Sequence, residues 1–543
     1  MRIEKMCHKG KEYFPVLKHF PNLNTDKVTQ LIHINQTGYD VGKSKRATIT
    51  NLPENSIFYV KQASNDKIVY RGILQNQKVD FSKVDREGNY YIECCGIKSY
   101  NFKIGKDRLI KVGIKPALDF MEQSRQENWD IGGNTGYAWR DSHQFCFELN
   151  SLVLQYMSNP KYYKSLEKNV YKCSECDYEE LRTQTEPNII WLIKFGALRY
   201  IKLLESGTKI HALIKGQLAW FLYGYQYYRE YVSEEFYNKV LNTTLSCWEE
   251  PDCTKTWYDV DLSNNPLEIN HNMLTTQNII GTIKGQLPPG YAVVPNLLMY
   301  KVTNQDKFKT SFLNNMNWLL EQDLTNPRNL KGQRMSELQV ILALTQPYKI
   351  DRSLCPNGTL DKIKQIADLF IKRSDNMWDY KMYQVKGEKE SINRDIWVNE
   401  QTSGGLCNQP GNTIGMLAEC FSIAECLENV EIKNKIKQIG VSNYDHCFGR
   451  NPTNSCYFNK ATTELEDAKK GWPDRMEGGF GDLGWVTGVI DGSPKEGNYP
   501  YNPSGNLGYT EAWVVWNTCW NTSLAYLCAY SDNIESLGFL NNK

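Results

Sequence analysis

A single carboxylate, Glu511, opens a segment that is otherwise apolar, aromatic or small, Gly508-Tyr509-Thr510-Glu511-Ala512-Trp513-Val514-Val515-Trp516, running on to Leu527. An ionised carboxylate is costly to bury, so such a residue needs a partner or a task. One task that calls for this setting is glycoside hydrolysis. It uses an acid kept partly protonated among aromatic rings, and rings also stack on the apolar faces of sugars. Glu511 also sits in the first turn of an expected helix behind Thr510, where the helix dipole favours the ionised form. Packing among Tyr509, Trp513 and Trp485 would have to offset that, and a first-turn Glu that only supports its helix is the plain alternative.

A second group of polar residues lies in Gly132-Gly133-Asn134-Thr135-Gly136-Tyr137-Ala138-Trp139-Arg140-Asp141-Ser142-His143-Gln144. Asp141 has two readings: a carboxylate base that activates water, or the N-cap of the helix expected from Gln144 to Met157. A third group is Gly449-Arg450-Asn451-Pro452, with Trp472-Pro473-Asp474-Arg475 and the Gly-rich Gly478–Trp485 beyond it. Arg450 and Arg475 each present a fork of donors suited to sugar hydroxyls or a carboxylate, or to tying down a loop. Trp139, Trp472, Trp485 and Trp513 are candidates either for sugar stacking or for the core.

The chain that must position these residues has 543 residues, more than one ordinary core organises. Sixty-three Lys and Arg against 62 Asp and Glu leave a formal charge of +1, which argues against a nucleic-acid partner. No apolar run is long enough to span a bilayer. Met1–Asn24 holds no apolar stretch of signal-peptide type, so a cytoplasmic location is expected. The 16 cysteines are scattered, several of them in apolar runs, which fits buried reduced thiols. Cys173 and Cys176 form a lone Cys-x-x-Cys without the second pair a structural zinc needs.

Short apolar or alternating runs at Leu31–Ile34, Arg46–Thr50, Ser56–Val60, Lys67–Tyr70, Tyr90–Cys95 and Tyr100–Ile104 predict a β-sandwich. Beyond Pro116 the pattern turns helical. Helices are expected over 144–157, 187–204, 213–231, 234–245, 295–302, 306–322, 335–344, 360–373, 413–427, 430–448 and 510–529. Those apolar nearly all round should form an inner layer and the amphipathic ones an outer layer, a closed double layer of α-hairpins. The long connections at 257–272, 399–412 and 451–507 would line a cleft.

The three polar groups, in this order, resemble glycoside hydrolase family 9, the cellulase-type inverting hydrolases. Ile34-Asn35-Gln36-Thr37-Gly38-Tyr39 looks like the start of the family's N-terminal immunoglobulin-like domain, and Glu186-Pro187-Asn188-Ile189-Ile190 resembles a family helix start. The resemblance implies a multidomain β plus all-α chain. It would have an N-terminal extension at 1–27, an immunoglobulin-like β-sandwich at 28–107 and an (α/α)6 barrel at 112–535. It implies Glu511 as general acid and Asp141 as base, roughly 6.5–9.5 Å apart so that a water fits between. Trp139, His143, Gln144, Arg450, Arg475, Trp485, Tyr509 and Trp513 would contact an oligosaccharide or polysaccharide. No cofactor is expected, although Asp259, Asp261, Glu464, Glu466 and Asp467 leave room for a structural calcium.

The sequence departs from the family at one place. The family pattern is Trp-x-Asp-Ala-Gly-Asp with the second Asp as base, and here Gln144 stands at that position. Glutamine accepts no proton at neutral pH. Three readings follow: Asp141 is itself the base, another group such as His143 replaces it, or hydrolysis by this route is lost. The last would leave a glycan-binding protein. A further alternative is elimination or epimerisation of a uronic acid, with Arg450 or Arg475 on the carboxylate.

Overall fold

The computed structural model describes residues 6–8, 11–13, 32–125, 138–139, 147–168, 181, 185–206, 212–251, 272–275, 289–325, 336–381, 410–451, 514–531 and 540. They fall into two compact units. One comprises 1–117, 367–421 and 429–512, the other 118–366, 422–428 and 513–543.

The first unit is built on a β-sandwich. Strands β1 (Met6–His8) and β2 (Lys11–Tyr13) pair only with each other. β4 (Tyr39–Asp40), β6 (Ile57–Gln62), β7 (Ile68–Ile73), β9 (Gly88–Cys94), β10 (Ile97–Lys98) and β11 (Phe102–Gly105) form a 6-stranded sheet in the order β4-β11-β9-β6-β7, with β10 on β9. β3 (Ile32–His33), β5 (Arg46–Ile49) and β8 (Lys78–Asp80) form the 3-stranded sheet. Inward residues Ile32, Ala47, Ile49, Phe58, Val60, Val79, Ile92, Phe102 and Ile104 make one buried cluster. Alternation of buried and exposed positions in β6 and β11 is the period-2 signal of a half-buried strand. All six expected strands are present. The short β4, β8 and β10 are not evident from the pattern, because two or three residues carry too little alternation to register.

The helices are α1 (Arg108–Gln123), α2 (Glu148–Ser158), α3 (Asn188–Glu205), α4 (Ala212–Tyr228), α5 (Glu234–Cys247), α6 (Val293–Thr303), α7 (Asp306–Glu321), α8 (Ser336–Ile350), α9 (Thr359–Arg373), α10 (Pro410–Cys426), α11 (Val430–Cys447) and α12 (Val514–Ala529). α1 is absent from the helices expected from sequence, as is the six-residue helix Pro160–Ser165. Pro116 lies inside α1, and an interior proline without an N–H argues against a helix on propensity alone. Ser233 and Asn429 cap α5 and α11 by accepting from the amides of Phe236 and Ile432.

Within the second unit the expected two layers are visible in the burial patterns. Every residue of α2 is buried. In α5 the buried residues are Phe236, Val240, Thr244 and Cys247, a single stripe three or four residues apart. Helices buried over most of their described surface pack in sequence, α12 on α2, α2 on α4, α4 on α6 and α6 on α8. The last turn of α10 completes the circuit. Cys426 Sγ lies 3.8 Å from the Thr345 carbonyl of α8, and Ser422 bonds Tyr526 of α12. α3, α5 and α7 lie outside, on α2, α4 and α6 respectively. The helical body therefore has the inner and outer layers of an (α/α)6 barrel. Among the described residues, no helix is long and apolar enough to cross a membrane.

Several buried polar residues of the inner helices are paired, as burial favours. The Tyr200 hydroxyl donates to Glu148 Oε1 at 2.5 Å, Gln217 Oε1 accepts from the Leu149 amide at 2.8 Å, and Asn521 Nδ2 donates to Ser151 Oγ at 3.3 Å. Asn296 Nδ2 donates to the carbonyls of Met273 and Ala292, and its Oδ1 accepts from Trp248 Nε1.

Candidate active site

In the second unit a small recess of about 20 Å³ lies among α2, α4, α6 and α8. Phe147 and Asn150 come from the start of α2, Gly216, Gln217 and Trp220 from α4, and Tyr291, Val294 and Pro295 from the start of α6. Gln339, Leu342, Ala343 and Gln346 come from α8. Aromatic and aliphatic surface with a few convergent amides is the usual make-up of a small-molecule site. Gly216 is needed there, since a Cβ at this position would lie 2.1 Å from the Tyr291 hydroxyl. The lining includes no Asp, Glu, Lys, Arg or His. A charged ligand group would go uncompensated against this wall, so its chemistry favours neutral, hydrogen-bonding ligands. Asn150 Oδ1 is buried without a hydrogen-bond partner. None of these residues is conspicuous in the sequence. The signal they carry is polar amides within helices that are otherwise largely apolar.

Of the site residues expected from sequence, Trp139 and Arg450 fall among the described residues, and both expectations need correction. Trp139 is fully buried, donates its indole N–H to the Met121 carbonyl at 2.9 Å and packs edge-on against Phe195, with ring centroids 5.5 Å apart. Its ring meets Gly196 so closely that a Cβ there would come within 2.5 Å. No face is left for a sugar; this tryptophan is core.

Arg450 is also fully buried, and belongs to the first unit. Its Nη2 donates to Asp379 Oδ2 at 2.9 Å, its Nη1 to Ser442 Oγ at 2.9 Å and its Nε to Thr48 Oγ1 at 3.1 Å. Lys78 and Arg46 donate to the same Asp379 carboxylate, at 2.9 and 3.2 Å. Burial alone would raise the Asp379 pKa, but Arg450, Lys78 and Arg46 together hold it well below the usual carboxylate range. The guanidinium fork is thus spent on the protein, joining β5 and β8 to residues 376–381 and to α11. Gly449 beside it has φ +121°, and a Cβ would press into the Gln36 side chain at 2.7 Å. The Gly-Arg-Asn motif is accounted for by this packing.

The Asn35-Gln36-Thr37-Gly38-Tyr39 motif meets the same cluster. Asn35 Oδ1 accepts from the Thr37 amide, while its Nδ2 donates to Asp445 Oδ1 at 2.7 Å. The Gln36 amide donates to the Phe448 carbonyl at 2.8 Å. The other oxygen of Asp445 has no partner. Burial pushes the Asp445 carboxyl up to about 8, against the pull of the Asn35 hydrogen bond and of Arg450. Burial lowers the His33 imidazole to about 4.

Glu511, Asp141, His143, Gln144, Arg475, Trp485, Tyr509 and Trp513 lie outside the described residues, as do Trp472, Cys173, Cys176 and the acidic loop residues Asp259, Asp261, Glu464, Glu466 and Asp467. Among the described residues no group of His, Cys, Asp and Glu is arranged to hold a metal ion.

Comparison with known proteins agrees with this architecture. Residues 27–99 match the model of the cellulase N-terminal ig-like domain. Among solved structures, a Bacteroides ovatus glycoside hydrolase family 9 protein aligns with a TM-score of 0.58 at 13% identity, over 92% of this chain and 99% of its own. AaCel9A in complex with cellobiose-like isofagomine aligns with a TM-score of 0.58 at 12% identity, over the same shares of the two chains. A metagenome-derived family 9 endoglucanase gives 0.56 at 11% identity, over 92% of this chain and 99% of that one. No curated protein matches the chain. An immunoglobulin-like β-sandwich followed by an (α/α)6 helical body is the fold of the glycoside hydrolase family 9 endoglucanases, and this chain has that fold along nearly its whole length.

Proposed function

We propose that the protein hydrolyses β-linked oligosaccharides by inversion, with Glu511 as general acid and Asp141 as the base that activates water. The observation that carries the proposal is the relation of α2 to α12. Asn521 bonds Ser151 in the N-terminal part of α2, and Cys528 faces Tyr163 beyond its C-terminal end, so the two inner helices run parallel. Asp141 precedes Glu148, the first residue of α2, and Glu511 precedes Val514, the first residue of α12. α2 and α12, the helices that follow the two candidate carboxylates in sequence, therefore begin at the same end. A pair of carboxyls on either side of a sugar is what inversion requires.

The relatives in this fold include an endoglucanase and a protein holding a cellobiose-like ligand, which supports a carbohydrate substrate. The uncharged cavity wall and the commitment of Arg450 to Asp379 weigh against the uronic-acid reading. A second reading, glycan binding without hydrolysis, is favoured by Gln144. A panel of β-linked oligosaccharides followed by proton NMR of the product anomers separates the two. Inverted product, lost by roughly 10²–10⁴-fold in both Glu511→Gln and Asp141→Asn, supports hydrolysis. Saccharide binding without turnover in the wild type supports the second reading.

A further inference from the structure

The turn that leads into α9 reads Pro356-Asn357-Gly358-Thr359, and we infer that Asn357 is a site of spontaneous deamidation, a covalent modification that the folded chain leaves open. In an Asn-Gly pair the next backbone nitrogen reaches the side-chain carbonyl with least obstruction, because glycine carries no Cβ. Asn357-Gly358 is the one such pair in the chain. Both residues are exposed, Gly358 has φ +89°, and a Cβ added there would meet nothing within 4 Å. Among the described residues neither the Asn357 carboxamide nor the Gly358 amide makes a hydrogen bond. Other exposed turn asparagines, Asn55, Asn65, Asn76 and Asn304, differ, because the amide that follows each is held. The Ser56 amide donates to the Pro53 carbonyl at 3.3 Å, Asp66 to the Gln62 carbonyl at 3.0 Å, Gln77 to Glu54 Oε1 at 2.8 Å and Gln305 to Thr303 Oγ1 at 3.3 Å.

In the reaction the Gly358 amide gives its proton to hydroxide, and its nitrogen bonds to Asn357 Cγ. Ammonia departs from that carbon and leaves a cyclic succinimide. Water opens the ring at either carbonyl, to an aspartyl or an isoaspartyl residue at position 357. The isoaspartyl form carries an extra methylene in the main chain. It enters between the Pro356 carbonyl and Thr359, whose amide and Oγ1 donate to that carbonyl at 3.3 and 2.7 Å. The start of α9, where the Lys362 amide donates to the Gly358 carbonyl at 2.9 Å, is therefore loosened in that form.

The test is peptide mapping by mass spectrometry of the full chain after incubation at mildly alkaline pH, folded in buffer and unfolded in guanidinium chloride. The ratio of folded to unfolded deamidation rate should stay near one at Asn357. At Asn55, Asn65, Asn76 and Asn304 it should fall by about tenfold, because each following amide must give up its hydrogen bond before it can attack. Asn357→Gln, whose longer side chain closes a larger and slower-forming ring, should remove the signal at this position while the chain stays folded. Hydrogen exchange at the Lys362 amide should rise in the isoaspartyl fraction and not in the aspartyl one. A folded rate at Asn357 about tenfold below its unfolded rate, or no deamidation there in the folded chain, overturns the inference. An isoaspartyl fraction with unchanged exchange at Lys362 overturns the effect on α9.

Discussion

Asp445 gives the first unit a pH dependence of unusual sign. The carboxyl is 1% exposed, bonds Asn35 through one oxygen and leaves the other without a partner, and burial places its pKa at about 8 against an ordinary 3.8. Between those values the folded chain holds a proton that the unfolded chain has released. Stability therefore falls as pH rises through this window and levels off above pH 8. At about 1.4 kcal/mol per pH unit, the cost accumulated at pH 7 is at most about 4 kcal/mol. Relaxation around the site reduces it. His33, buried neutral with a pKa of about 4, acts in the opposite direction, with stability fully present above its ordinary 6.5 and lost as pH falls from there towards 4. The two effects overlap below pH 6.5, so the interval from 6.5 to 8 isolates Asp445. Other charged or titratable groups that bear on it are Arg450, Asp40 and Asp379. Asp445→Asn keeps an acceptor for Asn35 and removes the titration. The variant should be more stable than wild type at pH 8 by a few kcal/mol, and its stability should be flat from pH 6.5 to 8, where wild type loses about 2 kcal/mol. The assay is hydrogen-exchange protection of the β3, β5 and β9 amides across that range, which reports the unit directly. The reasoning is refuted if Asp445→Asn is less stable than wild type at pH 8. That result would mean an ionised Asp445 stabilised by Arg450.

Three further outcomes follow from the packing. Asp379→Asn leaves Arg450, Lys78 and Arg46 facing a neutral amide, and loss of one partner from a buried ion cluster costs on the order of 3–5 kcal/mol, read as a lowered urea midpoint. Gly196→Ala drives a methyl into the Trp139 ring and should cost about 1–3 kcal/mol in thermal unfolding, because α3 and the ring have no room to separate. Trp139→Phe should lower stability while leaving oligosaccharide affinity unchanged at a temperature where the chain is folded; a weakened affinity there would restore a sugar-binding role to the ring.

What the sequence disclosed and what it hid divide along physical lines. A helix such as α12 was legible because an apolar surface on most faces has no soluble explanation except burial, whereas α3, apolar in the same way, packs outside on α2. The sandwich strands were legible from alternation in β6, β9 and β11, whereas β4 and β8 depend on partners distant in sequence. Functional residues divide differently. Arg450 and Trp139 have side chains equally suited to a ligand and to the core, and residue type cannot separate those roles. Burial separates them at once, because Asp379 lies 71 positions from Arg450 in the chain yet takes its guanidinium. Asn150, Gln217 and Gln346 show the reverse. As isolated amides in apolar helices they read as tolerated exceptions, and only the closing of α2, α4 and α8 around one cavity turns them into a wall. A motif such as Gly-Arg-Asn thus marks a position where side-chain identity is constrained. The source of that constraint, ligand or scaffold, is decided by the partners that folding supplies, and at Arg450 folding supplies Asp379.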